Sequence, residues 1–174
     1  MPRQAGRDGA SYALSAQAIS LDLASGAVAG GDAAGDVLIG LSHAMGGEAG
    51  DTLLGNAAGN LLAGRGGGDV IDGRGGDDTV RGGTGADTMT GGDGVDVLSY
   101  AGSRPVDANL ATGVVTGADA VGDVFSGFEG LAGSAGDDTL AGDSGDNLLL
   151  GDAGADSIAG GAGNDVVLGG PGWD

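Results

Sequence analysis

The amino-acid sequence predicts an all-β solenoid of short stacked strands, and three observations predict it. Glycine occupies 43 of the 174 positions. From Gly46 onward glycine and aspartate recur with a period of nine, and an aliphatic side chain stands at one fixed place in each period. Without a period, glycine at this density describes a low-complexity chain with no packed core; with one, it describes repeated tight turns.

The repeat reads most clearly in Gly82-Gly83-Thr84-Gly85-Ala86-Asp87-Thr88-Met89-Thr90 and in the block that follows from Gly91 to Ser99. Blocks begin at Gly46, Gly55, Gly64, Gly73, Gly82 and Gly91, then again at Gly133, Gly142, Gly151 and Gly160, with a partial block from Gly169 to Asp174. The sixth position is always able to ligate: Asp51, Asn60, Asp69, Asp78, Asp87 and Asp96, then Asp138, Asn147, Asp156, Asp165 and Asp174. In every complete block the eighth position is aliphatic, from Leu53, Leu62, Ile71, Val80, Met89 and Leu98 to Leu140, Leu149, Ile158 and Val167. A good turn former would put aspartate somewhere in each turn. It would not hold it two residues before a fixed apolar position through ten blocks.

A strand such as Thr88-Met89-Thr90 is too short to stand alone, and its central side chain is buried only if neighbours stack above and below. Two Phe, two Tyr and one Trp leave Ala, Val, Leu and Ile to fill a narrow core. Ordering a glycine costs on the order of 1–2 kcal/mol, so burial alone is expected to fall short. The chain has 25 acids against 6 arginines, a formal net charge of -19, and no cysteine. That balance argues against nucleic acid and anionic membranes as partners, and excludes disulfides, thiolate metal sites and cysteine nucleophiles. Only Glu48 and Glu129 are glutamates. Short carboxylates at tight turns are the donor set of a hard cation.

These blocks resemble the RTX, or haemolysin-type, calcium-binding repeat, G-G-x-G-x-D-x-U-x with U a large apolar residue. The resemblance covers residues 46–99 and 133–174. It implies a right-handed parallel β-roll in which two nonapeptides make one coil and calcium ions lie in the Gly/Asp-rich turns. Turns eighteen residues apart would then share an edge, pairing Asp51 with Asp69, Asp69 with Asp87, Asn60 with Asp78, Asp78 with Asp96, Asp138 with Asp156, Asn147 with Asp165 and Asp156 with Asp174. It also implies carbonyl ligands from the second and fourth turn positions, for example Gly83 and Gly85 or Gly92 and Gly94. Arginine at the second position of the Gly64 and Gly73 blocks keeps such ligation only if it tolerates the turn. Asn60 and Asn147 bring no charge, so the sites they enter are expected to be the weakest.

A longer period lies over the short one. Leu23-Ala24-Ser25-Gly26 matches Leu110-Ala111-Thr112-Gly113, and Gly35-Asp36-Val37 matches Gly122-Asp123-Val124. The expected organisation is an N-terminal segment and connector coils over 1–45, a first array over 46–99, connector coils over 100–132, and a second array over 133–174 that stops in mid-repeat. Tyr12, Tyr100, Phe125 and Phe128 read as packing residues closing ladder ends. Asp77 and Asp137 read as solvated turn residues, and Arg65, Arg74 and Arg81 as moderators of local negative charge.

His43, the one histidine, has no Ser or Asp partner at a catalytic spacing, so no catalytic residue is expected and the chain reads as a non-enzyme. No apolar run follows the basic residues at the start, and none has the length of a membrane span. The resemblance implies a secreted, extracellular module of a Gram-negative type I export substrate that folds when it meets calcium, and a piece of something longer. Two rival readings are an adhesive or glycan-binding module facing extracellular polysaccharide, which needs an exposed aromatic or basic row, and the non-catalytic repeat region of an RTX toxin, protease or lipase with an upstream domain.

Overall fold

The computed structural model describes residues 8–117 and 119–173. These form eighteen short strands and one 3-10 turn, Gly31–Ala33, arranged as two sheets. The chain alternates between the sheets, so each nonapeptide contributes one strand and consecutive nonapeptides face each other. Thr52–Leu54 pairs in parallel with Val70–Gly75, and Leu61–Gly66 with Thr79–Thr84. Leu53 lies opposite Ile71 and Leu62 opposite Val80, an eighteen-residue register that makes two blocks one coil.

Parallel pairing at this register puts every eighth-position side chain on the inner face, stacked on its own kind. Leu53, Leu62, Val80, Leu98, Leu140 and Leu149 are 0% exposed, and Ile71 and Met89 are 1%. The core is one side chain thick from each sheet, which is why small aliphatics suffice. It opens at the last coil, where Ile158 is partly buried and Val167 is exposed.

In the middle of the first array the strands exceed the three residues expected. Val70–Gly75, Thr79–Thr84 and Thr88–Asp93 run on into the next block, through Gly73-Arg74 and the glycine pairs Gly82-Gly83 and Gly91-Gly92. The coils stack so regularly there that pairing continues round the bend, with Arg65 opposite Gly83 and Arg74 opposite Gly92. A Cβ on Gly85, whose φ is +134°, would collide with the Gly67 carbonyl of the coil beneath. The spacing between turns is therefore set by backbone touching backbone.

The connectors join the same sheets. Val97–Ser99 pairs with Gly130–Ala132, which pairs with Leu148–Leu150, so the eight-stranded sheet is parallel throughout. The ten-stranded sheet takes up a hairpin: Asp107–Asn109 is antiparallel to Val114–Thr116, which is antiparallel to Val124–Ser126. The same hairpin occurs 87 residues earlier, where Ser20–Asp22 is antiparallel to Ala27–Ala29. The repeated Leu-Ala-Ser/Thr-Gly motif is its turn, closed by Gly26 N–H to the Asp22 carbonyl and by Gly113 N–H to that of Asn109. Phe125 and Phe128, 6.2 Å apart edge to face, pack at the junction between the arrays and not at a ladder end.

Leu62→Ala should destabilise the roll by about 2–5 kcal/mol, because a rigid stack of backbones cannot collapse into the cavity. Leu14→Ala, at a side chain 95% exposed, should change little. Urea unfolding of the two variants checks the difference.

Candidate metal centres

Each sixth-position carboxylate sits at the bend where a turn enters a strand, and the register stacks these bends in rows. Along one edge Asp51 N–H donates to Asp69 Oδ1 at 2.7 Å, Asp69 N–H to Asp87 Oδ1 at 2.8 Å, and Ile19 N–H to Asp51 Oδ1 at 2.8 Å. Along the other, Asn60 N–H donates to Asp78 Oδ1 at 2.7 Å and Asp78 N–H to Asp96 Oδ1 at 2.8 Å. In the second array Asp138 N–H donates to Asp156 Oδ1 at 2.9 Å, Asn147 N–H to Asp165 Oδ1 at 3.0 Å, and Val106 N–H to Asp138 Oδ1 at 2.8 Å. The eighteen-residue neighbours are thus brought together as two hydrogen-bonded rows. Asp174 lies outside the described residues.

One carboxylate oxygen is used by the row; the fate of the other distinguishes the positions. Oδ2 of Asp51 accepts Gly47 N–H at 2.6 Å, and Oδ2 of Asp138 accepts Ser134 N–H at 2.6 Å. Asn60 and Asn147 close on their own turns, their Oδ1 accepting Asn56 N–H at 2.7 Å and Asp143 N–H at 2.8 Å. At Asp69, Asp78, Asp87 and Asp96 the second oxygen is buried and has no hydrogen-bond partner. These four residues are at most 1% exposed. A partnerless carboxylate oxygen kept from water costs several kcal/mol unless a cation or a proton meets it.

Carbonyl oxygens line the same edges. A Cβ on Gly64 would collide with Asp69 Oδ2, its own sixth-position oxygen, and lie 2.7 Å from the Gly82 carbonyl oxygen of the next coil. Gly83, Gly85, Gly92 and Gly94 adopt φ between +120° and +143°, their α-carbons facing the carbonyls of Arg65, Gly67, Arg74 and Gly76. Arg65 and Arg74 tolerate the turn, taking φ of 86° and 70°. Their side chains are occupied: Arg65 pairs with Glu48 at 2.9 Å, and Arg74 grips both oxygens of Asp22 at 2.9 and 3.1 Å. That grip holds the Asp22 carboxyl down at about 2.

Among the described residues no three carboxylate or imidazole side chains converge on one point. A cation at these edges would draw its shell from single carboxylates and backbone carbonyls, an all-oxygen donor set that suits calcium and offers zinc nothing it prefers. The buried partnerless oxygens and the carbonyl rows fit such an ion.

A family model described as RTX calcium-binding nonapeptide repeat matches residues 45–80, 72–102, 125–158, 132–167 and 150–174, together more than half of the chain. The chain belongs to this family. No curated protein matches it. RTX nonapeptides are calcium-binding structural repeats, typical of secreted Gram-negative proteins, and the parallel roll is the fold expected of them.

Two RTX row members escaped the sequence reading. Asp123 Oδ1 accepts Asp87 N–H at 2.9 Å, and Glu129 Oε2 accepts Asp96 N–H at 2.9 Å. The signal that finds them is an acid two residues before a core side chain, Asp123 before Phe125 and Glu129 before Leu131, without the glycines of the consensus. Asp77 and Asp137 are also more than solvated, since they accept the N–H groups of Val95 at 3.0 Å and Ala155 at 2.8 Å from the next coil.

Burial pushes these carboxyls up, reinforced at all but Asp87 by nearby like charges: Asp69 to about 7 and Asp78 and Asp123 to about 6, with Asp87 and Asp96 also raised. The N–H bonds of the row oppose the shift without cancelling it. A carboxyl raised in the folded state favours folding below its unfolded value and loses that contribution as pH rises through its folded value. Metal-stripped protein should therefore be more stable at about pH 4.5 than at about pH 7.5, the loss falling between about 4 and 7. Asp69→Asn should flatten the profile. The folded fraction of the metal-stripped protein, followed by far-ultraviolet circular dichroism across this range, checks both.

Proposed function

We propose that the chain is a calcium-dependent folding module of a secreted protein, built from an array over 46–99 and an array over 133–174, with connector coils over 1–45 and 100–132. The observation that carries this reading is the set of four buried carboxylate oxygens at Asp69, Asp78, Asp87 and Asp96 that no protein group satisfies. A bound calcium ion supplies positive charge that the stacked carboxylates and carbonyls can share. Asp51, Asp69, Asp78, Asp87, Asp96, Asp138, Asp156, Asp165 and Asp174 are the proposed carboxylate ligands, with carbonyls such as those of Gly83, Gly85, Gly92 and Gly94. Asn60 and Asn147, closed on their own turns, belong to the weakest sites.

Without the ion the rows repel and the chain favours an open state; with it each coil acquires a template for the next. Each site held tenfold above its dissociation constant adds about 1.4 kcal/mol, so four sites add roughly 6 kcal/mol, the scale of a whole domain's stability. That coupling suits a chain exported unfolded from a calcium-poor cytoplasm by a type I system and folding outside. The role is structural, not catalytic. His43 Nδ1 lies 2.9 Å from the carbonyl of Ser42, and the nearby Ser11 hydroxyl donates to Met45 Sδ at 3.7 Å. No helix among the described residues is long and apolar enough to cross a membrane.

Far-ultraviolet circular dichroism of chelated protein should change from coil to β on adding millimolar calcium, and magnesium should not substitute. Identical spectra in chelator and calcium would contradict the reading. Asp87→Ala should shift the transition to higher calcium by about tenfold or more, since it removes a charged ligand and loosens the coils on either side. Asp107→Ala, at an exposed connector carboxylate, should leave it in place.

A further inference from the structure

The turn Gly127-Phe128-Glu129 lacks the G-G-x-G consensus, yet it repeats the oxygen arrangement of the arrays. At Gly46, Gly64 and Gly73 the first glycine of the block faces two oxygens: the sixth-position Oδ2 of its own block and the carbonyl of the first glycine one coil on. At Gly73 these are Asp78 Oδ2 and the Gly91 carbonyl. At Gly91 the nonapeptides have ended, and the carbonyl of Gly127 takes the vacant role. It and Asp96 Oδ2 both crowd the point a Cβ on Gly91 would occupy. The Gly127 carbonyl also accepts Gly92 N–H at 3.3 Å, which fixes its direction.

Glu129 completes the pattern. Val97 pairs with Gly130, so Glu129 stands in register with Asp96. Its Oε2 accepts Asp96 N–H at 2.9 Å, the bond that Asp78 N–H makes to Asp96 at 2.8 Å one coil below. Asp96 itself is 0% exposed, and its Oδ2 has no partner. An array-end carboxylate, a connector carbonyl and a connector carboxylate are thereby held where two consensus turns would otherwise meet.

We propose that Asp96, the Gly127 carbonyl and Glu129 form an additional calcium site, outside the consensus repeats, that fastens the connector to the end of the first array. The inference rests on the calcium reading of the arrays. Two carboxylates of unlike length and a carbonyl give a hard divalent cation three oxygens in a shell whose remaining places water fills. Filling it ties the bends of the first array to the strand Gly130–Ala132, whose Leu131 lies in the core shared with the second. The connector is then part of the metal-dependent unit and not a spacer.

Calcium stoichiometry by isothermal titration and native mass spectrometry tests this. Glu129→Gln keeps an acceptor for Asp96 N–H and removes the charge, so the variant should bind one ion fewer per chain than the parent and keep the β spectrum at saturating calcium. Asp107→Asn should lose none. An unchanged count in Glu129→Gln with a lowered melting temperature would make Glu129 a hydrogen-bonded cap only and overturn the site. If the variant does not fold, a crystal structure of the calcium-loaded parent decides: an ion about 2.3–2.6 Å from the Gly127 carbonyl oxygen and the Asp96 carboxylate is expected. Ions in the consensus turns with none at Gly127 would defeat this site alone. A parent that binds no calcium would defeat the reading of the arrays as well.

Discussion

The eighteen-residue stack imposes one contradiction on which everything else depends. The register that buries Leu53 on Ile71 and Leu62 on Val80 also places Asp69 between Asp51 and Asp87 and Asp78 next to Asp96. Each carboxylate serves the fold by accepting an N–H from the neighbouring coil. Each also brings a negative charge out of water and into line with others. A hydrogen bond to a charged group contributes roughly 1.5–3 kcal/mol, which does not offset the desolvation of a carboxylate oxygen that finds no partner. Protons relieve the row at low pH, and in the proposed reading calcium relieves it where pH is neutral.

The glycine turns follow from the same constraint. Oxygens from successive coils can approach one point only if no side chain stands there, as at Gly64, where the space of a Cβ is filled by Asp69 Oδ2. The cost is a glycine-rich backbone with much conformational entropy to lose on folding. Arg74 shows a local alternative. A guanidinium on a left-handed turn residue bonds Asp22 and the Gly55 carbonyl, supplying a fixed positive charge to a connector turn.

Much of this was legible in the sequence because the constraint is periodic. The sixth-position acid and eighth-position aliphatic, read together, predicted the solenoid and its inner face; which turns share an edge was what the resemblance to the RTX repeat implied. The connectors were not legible in the same way, since the 87-residue match shows that two segments are alike without showing what they form. The Ser20–Asp22 and Asp107–Asn109 hairpins came from the structure, and so did Asp123 and Glu129. Those two acids keep the D-x-U spacing but lose the glycines by which the repeat is recognised. Whether a carboxylate has its second oxygen satisfied was likewise invisible: Asp51 and Asp69 occupy equivalent positions, yet only Asp51 finds a backbone N–H for both oxygens.

The most direct test of this coupling is the free energy of unfolding measured as a function of free calcium at neutral pH. The logarithm of the folding constant plotted against the logarithm of calcium activity has a slope equal to the number of ions taken up on folding. A slope of about four or more is expected from the four carboxylates left without partners at Asp69, Asp78, Asp87 and Asp96. A slope near zero, with the chain folded at neutral pH in chelator, would show that the stacked carboxylates are tolerated without a cation and would contradict the central claim.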